Sequence, residues 1–315
     1  MTSQPQLHFV ISAPRSGSTW LTLALNHHPE IFATEQRLFG DFAEIWRNND
    51  GSSTPRLTFD SYARAFAVHY CYEELGLERE QFIQVLQKSF INFLIRFATR
   101  RKNASVVIDK ITPYPGTAAK VVNQIRALCP DAKIIQLIRD GRDVVTSGTF
   151  DWLLKDAQGT DRYAYFVKKR SDARLSRFFD DAVMRKWSAN WRETVEIFDS
   201  RPADLVVRYE DMKCAMANQL TRIYELLGID ASLEIAVAAA EATEFEKVAG
   251  RQAGDDNQPT AKARKGIAGD WRNYFTQRDA RLFHEMAGAQ LIQLGYAADS
   301  SWADKCPQEL ELGGG

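Results

Sequence analysis

The sequence predicts an α/β fold: a P-loop-like parallel β-sheet flanked by helices, in a single domain that carries a helical insert. Three observations lead there. Short, almost continuously apolar runs alternate with longer helical stretches, the pattern of a parallel sheet buried on both faces with crossover helices. The first of those runs passes through a tight Ser/Gly-rich turn into a helix. The chain has 315 residues, 45% hydrophobic and 26% charged, an ordinary composition and enough length for one large α/β domain.

Taken in order, the strand-like runs are "LHFVIS" (7–12), "SVVIDK" (105–110), "AKIIQLIRD" (132–140) and "ADLVVRYED" (203–211). Helices are expected over 18–27, 60–75, 79–102, 117–128, 142–154, 180–199, 213–227, 232–240 and 277–294. Gly228 stops the helix that ends in "LTRIYELL", and "CPDAK" turns the chain into its third strand. Residues 40–104 are too long for a bare crossover and read as a mostly helical insert, placed to cover a substrate site. The segment 251–264, "RQAGDDNQPTAKAR", is polar, Gly/Pro-punctuated and aperiodic; a flexible, functional loop is expected over about 250–264. With no internal repeat and no low-complexity block, residues 1–310 read as one domain.

Charge and cysteine usage narrow the function classes. Lys+Arg (40) and Asp+Glu (41) nearly cancel, so no global field recruits nucleic acid or an anionic membrane. No apolar stretch reaches the length of a membrane span. The N-terminus lacks the basic and apolar regions of a signal peptide. The four cysteines, Cys71, Cys129, Cys214 and Cys306, show neither CxxC nor metal spacing. Free thiols, a cytoplasmic location and no metal are the expectation.

The turn "APRSGSTWL" (13–21) is an anion site by its geometry. Unpaired backbone N–H groups at a helix N-terminus point outward, and the helix dipole favours negative charge there. Gly17 lets a ligand approach the backbone closely, Ser16, Ser18 and Thr19 add hydroxyl donors, and Arg15 offers a planar fork to oxygens. A capped helix start, with Ser18 or Thr19 as the cap, is the plainer alternative. A nucleotide kinase needs G-x-x-x-x-G-K-[ST], and position 18 is Ser where Lys belongs.

Two further segments change the balance. In "IIQLIRDGRDVVTSG" (134–148), Arg139 ends a strand and Ser147 lies eight residues on, within the next helix, so both could converge on one phosphate. In "ARKGIAGDWRNYFT" (263–276), Arg264 and Lys265 precede Gly266 at the end of the mobile loop. In this order, and across most of the chain, the three segments resemble the sulfotransferases that use 3′-phosphoadenosine 5′-phosphosulfate (PAPS), the cytosolic type and its bacterial relatives. The resemblance implies that Arg15, Ser16, Gly17, Ser18 and Thr19 cradle the 5′-phosphosulfate, with Arg15 where the family more often has Lys. It implies that Trp20 lies against the adenine, joined by Tyr209 of "VVRYEDM" and by Thr243 and Phe245 of "ATEFEKV". Arg139 and Ser147 would hold the 3′-phosphate, helped by Arg264, Lys265 and Gly266.

Transfer of a sulfuryl group proceeds by positioning and charge stabilisation, and an alcohol acceptor also needs a general base. Arg15 can stabilise charge but cannot donate a proton, because its pKa stays above about 12. Where cytosolic relatives carry a His in "KTHLP", this chain has Thr112 in "DKITPYP"; Lys110 still matches and would contact the sulfuryl oxygens. Glu35 is the preferred base, ahead of Asp109, with His27 and His28 behind them; each carboxylate could instead be an ordinary cap or ion-pair group. The co-substrate is then PAPS, the acceptor a small-molecule, glycan or lipid hydroxyl, and a homodimer stays open. The aromatics Phe39, Phe42, Trp46, Phe66, Tyr70, Tyr72 and Trp152 could line an acceptor slot, though packing between helices is their simpler role. The competing functions are a P-loop nucleotide kinase and a PAPS-binding or bisphosphate-binding protein without catalysis.

Overall fold

The structure, a computed structural model, describes residues 5–35, 45–47, 53–55, 59–70, 72–155, 177–254 and 264–310. The chain divides into two compact units whose segments interleave. The first comprises Met1–Ser12, Gly17–Leu137 and Ser200–Thr243; the second comprises Ala13–Ser16, Ile138–Asp199 and Glu244–Gly315.

The first unit is built on the parallel sheet. Its strands are β1 (Gln6–Ser12), β2 (Ile31–Thr34), β5 (Val106–Ile111), β6 (Ile134–Ile138) and β7 (Leu205–Arg208), in the order β2-β5-β1-β6-β7. β1 pairs in parallel with both β5 and β6. Every residue of β5 and β6 is buried, which is why these strands read as unbroken apolar runs. Side chains alternate between the two faces. On one face Val10, Ala33, Val106, Ile108, Ile135 and Leu137 pack with Leu21 and Leu25 of α1 (Ser18–Leu25). Met212, Leu220, Ile223 and Tyr224 of α7 (Tyr209–Leu227) complete that core, with Ala236 and Ala239 of α8 (Leu233–Ala242).

Lys102 closes the far end of α1. It ends α3 (Arg79–Lys102), and its ammonium donates to the carbonyls of Asn26, His28 and Ile31. His28 is fully buried; its Nδ1 accepts from the Glu30 amide and its Nε2 donates to the Asp230 carbonyl at 2.8 Å. That ring is spent on backbone, which removes it as a base.

The second unit is helical and aromatic. α5 (Gly141–Lys155), α6 (Asp181–Glu196) and α10 (Gln277–Gln293) enclose Phe150, Phe179, Trp191, Phe275 and Phe283. Gly141 has to be glycine here, since a Cβ would stand 2.6 Å from the Trp191 ring. The Arg142 guanidinium lies over the rings of Trp271 and Trp302 while pairing with Asp140. α10 opens with a capping box between Thr276 and Asp279.

Several expectations are corrected. β2 was not anticipated, because "IFAT" is too short to show a period. The insert is mostly helical among its described residues, as read, but β3 (Ile45–Arg47) and β4 (Ser53–Pro55) add an unanticipated antiparallel pair before α2 (Phe59–His69) and α3. The segment expected as strand 203–211 stops at Arg208, and Tyr209 already begins α7. The short helix α9 (Phe245–Ala249) also went unread. Phe39, Phe42, Cys71, residues 156–176 and residues 255–263 of the expected loop lie outside the described residues, as do the side chains of Trp46 and Trp152.

His8 gives the sheet a pH dependence. Its Nδ1 accepts from the Lys133 amide on the neighbouring strand connection. Burial, together with the Lys133 ammonium and against a smaller pull from Asp204, lowers its pKa from 6.5 to about 4. Below pH 6.5 the unfolded imidazole takes up a proton that the folded one refuses. Stability is therefore expected to fall by roughly 3 kcal/mol between pH 6.5 and pH 4. Urea unfolding across that range checks this. His8→Gln should flatten the decline, and an unchanged slope would assign it to another group.

Candidate active site

The loop after β1 has two left-handed residues. Arg15 has φ 69° and Gly17 has φ 90°. At Gly17 the requirement is double, because an added Cβ would also come within 2.5 Å of the Tyr209 ring. Gly17 precedes α1 without any side-chain cap, so the amides of its first turn are not tied up by a capping side chain. The cap role offered for Ser18 and Thr19 is not used. Thr19 turns its hydroxyl elsewhere, as described below.

In the second unit, basic groups gather around the strand end at Arg139. Arg139 donates to the carbonyls of Arg15 at 3.1 Å and Ile267 at 3.0 Å, and its own carbonyl accepts from the Trp191 indole. Arg15 donates through Nε to Ser147 Oγ at 3.2 Å and pairs with Asp151 at 3.1 Å. Ser16 is fully buried, and its hydroxyl makes no hydrogen bond. Two guanidiniums, a serine hydroxyl and an unsatisfied buried hydroxyl form a centre suited to an oxyanion. Asp143, one helical turn after Arg139, accepts from the amides of Gly269 at 2.7 Å and Trp271 at 2.9 Å. Burial raises its pKa, opposed by the Arg139 guanidinium.

The basic pair at the end of the expected loop has an acidic partner of its own. Arg264 and Lys265 both pair with Asp270, and Lys265 also reaches the Tyr274 hydroxyl at 3.1 Å. Burial works to raise the Asp270 pKa, but the Arg264 guanidinium, Asn273 and Lys265 outweigh it and hold it below the ordinary carboxylate value. Gly266 (φ 63°) lies under the Phe245 ring, 2.2 Å from where a Cβ would be.

In the first unit, Trp20 donates to the Thr243 carbonyl at 2.7 Å and meets Tyr209 edge to face at 5.9 Å. Trp20, Tyr209 and Thr243 thus meet in this unit. Thr243 and Phe245, expected together, fall in different units.

A second cluster in this unit joins Glu35, Lys110 and Thr19. Glu35 Oε1 accepts from Thr19 Oγ1 at 3.0 Å and pairs with Lys110 Nζ at 3.1 Å. The alternation of β5 explains the grouping. Val106 and Ile108 face the core that includes Ile31 and Ala33, so Lys110 and Glu35 continue that face at the strand ends. Asp109 is fully buried and alternates to the opposite face, in register with Phe9. Lys110 and Asp109, neighbours in sequence, thus stand on opposite faces of the sheet.

Asp143, four residues after Arg139, is a partner the sequence itself offers for that cation, and the two stand 3.6 Å apart. Sequence reasoning missed Asp151 and Asp270; Asp151 lies four residues after Ser147, and that helical spacing was the available signal. Among the described residues, no group of three or more His, Cys, Asp or Glu could hold a metal ion.

A model described as "Sulfotransferase family" matches residues 8–232. Rat sulfotransferase 1E1 is 21% identical over 296 residues, covering 90% of this chain and 83% of the relative. Mouse sulfotransferase 2A6 is 29% identical over 174 residues, covering 51% of this chain and 57% of its own. Among solved structures, mouse sulfotransferase SULT7A1 complexed with PAP aligns over 95% of this chain and 87% of its own, at 17% identity and TM-score 0.49. A sulfotransferase from Alicyclobacillus acidocaldarius aligns over 95% and 99%, at 15% identity and TM-score 0.47.

Asp143 carries the backbone of the 269–271 turn on two charge-assisted hydrogen bonds. Asp143→Ala is expected to cost about 3 kcal/mol in urea unfolding. A loss below roughly 0.5 kcal/mol, the range of an inconsequential surface change, would mean that the turn is held by something else.

Proposed function

The chain belongs to the sulfotransferase family, and on that premise we propose that it moves a sulfuryl group from PAPS to an acceptor hydroxyl, releasing adenosine 3′,5′-bisphosphate. The observation that carries this reading is the cluster of Arg15, Arg139 and Ser147 with the buried, unsatisfied Ser16 hydroxyl. It is a centre for phosphate or sulfate oxygens that lacks the lysine a nucleoside-triphosphate loop would need. Trp20 with Tyr209 supplies an aromatic surface for adenine, and Thr243 holds the Trp20 indole in place. The reading treats residues 1–310 as one working domain, in the cytoplasm; the free thiols of Cys129, Cys214 and Cys306 fit a reducing compartment.

In the reaction, the acceptor oxygen bonds to sulfur while the bond from sulfur to the 5′-phosphate oxygen breaks. The electron pair of that bond stays on the departing bisphosphate, and the hydroxyl proton goes to a base. Arg15 stabilises charge on the departing oxygen without giving it a proton. Glu35 is the base in this scheme, oriented by Thr19 and Lys110. Its side chain is 38% exposed, open to an incoming hydroxyl, whereas Asp109 is sealed in the sheet. Arg15 and Ser147, assigned by resemblance to opposite ends of the nucleotide, bond one another here. Arg15 accordingly exchanges Ser147 and Asp151 for ligand oxygens when the nucleotide arrives.

Two experiments test this. Calorimetry should show adenosine 3′,5′-bisphosphate binding more tightly than ATP or AMP, and Arg139→Ala should weaken it by tenfold or more, the scale of a lost charged hydrogen bond. Binding of ATP that equals it and ignores Arg139 would return the loop to kinase chemistry. In turnover assays, Glu35→Ala should lower kcat on the order of 10²-fold. Retained turnover in that variant, with Asp109→Ala inactive, would reassign the base.

A further inference from the structure

The helix α3 presents to solvent a ridge that the proposed chemistry does not use. Its buried seam is Ile83, Gln87, Ile91 and Ile95, one residue every fourth position. Away from that seam, Phe90, Phe93 and Phe97 are 41%, 63% and 45% exposed. At 3.6 residues per turn these three fall within about 60° of the helix surface. The Phe90 and Phe93 rings contact each other at 6.2 Å. Exposed Arg96 and Arg100 adjoin the ridge, with exposed Lys88 further round. From Gln81 to Asn103 the sequence holds five cations, Lys88, Arg96, Arg100, Arg101 and Lys102, and no acidic residue. The chain as a whole has a net charge of −1, so this concentration is local.

We propose that this face of α3 docks the protein on an anionic lipid surface, the phenyl rings entering the interface and Arg96 and Arg100 meeting lipid phosphates. An apolar stripe beside a cationic one on a single helix is the pattern of an interfacial helix. The long arginine side chains reach headgroups while their stems lie along the apolar boundary. A second copy of the chain is a poorer occupant, because a two-fold pairing of this face would set its cations against themselves. A fluid interface also needs no shape to match a convex row of rings. No helix among the described residues is long and apolar enough to cross a membrane, so the contact is peripheral.

Sedimentation of the full chain with vesicles tests the proposal. Binding is expected to vesicles of phosphatidylcholine containing about 30% phosphatidylserine, and to be weak with phosphatidylcholine alone. Arg96→Gln with Arg100→Gln should lower the partition coefficient about 30-fold, from roughly 1 kcal/mol per cation. Phe93→Ser with Phe97→Ser should lower it on the order of tenfold. Both pairs are exposed, and unchanged circular dichroism and bisphosphate binding would show that each variant is folded. The proposal is overturned by no sedimentation with either vesicle, or by binding indifferent to lipid charge and to both pairs. It is equally overturned if light scattering finds a dimer that Phe93→Ser with Phe97→Ser dissociates while vesicle binding is absent.

Discussion

Arg139 is nine-tenths buried, and a guanidinium cannot shed its charge to ease that burial. Its surroundings must supply oxygen atoms, and much of the second unit is arranged to do so. The Arg15 and Ile267 carbonyls accept from it, and the Asp143 carboxylate stands 3.6 Å away. Asp143 in turn gathers the Gly269 and Trp271 amides, and the Trp191 indole holds the Arg139 carbonyl. One charged side chain thus ties the loop after β1, the start of α5 and the turn at 269–271 to a common geometry. In the proposed function the same cation also meets the phosphate of the nucleotide.

The first unit meets a different constraint, the two-residue period of its strands. Parity decides that Lys110 and Glu35 share a face with α1 and that Asp109 does not. The period also brings Thr19, the second residue of α1, onto the Glu35 carboxylate. Gly17 is the joint on which this depends. Its left-handed conformation lets α1 start immediately, and its missing side chain leaves room for Tyr209. Tyr209 can lie there because β7 ends at Arg208 and the chain turns at once into a helix.

Much of this was legible in the sequence. Continuous apolar runs marked β1, β5 and β6, because strands buried on both faces show no alternation to obscure them. α3 was read to its ends, 79–102, from its length and its lack of breakers. The Ser/Gly-rich turn into α1, Arg139 just after β6 and Ser147 on α5 were placed from local spacing. β2 escaped, since four residues carry no period and it is a strand only through pairing with β5. The antiparallel pair β3–β4 escaped for the same reason.

The sequence by itself determined the fold class, the Ser/Gly-rich loop before α1 and the cations at the strand ends, because each follows from residue type and near-neighbour spacing. Tertiary structure alone decided how those charges are spent. Arg264 and Lys265 look available in sequence yet converge on Asp270, and Arg15 pairs with Asp151, 136 residues away. The burial of Asp109 and the exposure of Glu35 likewise waited on how the strands pair and pack. Coulomb interactions and desolvation depend on distances through space, and residues far apart in the chain acquire those distances only on folding.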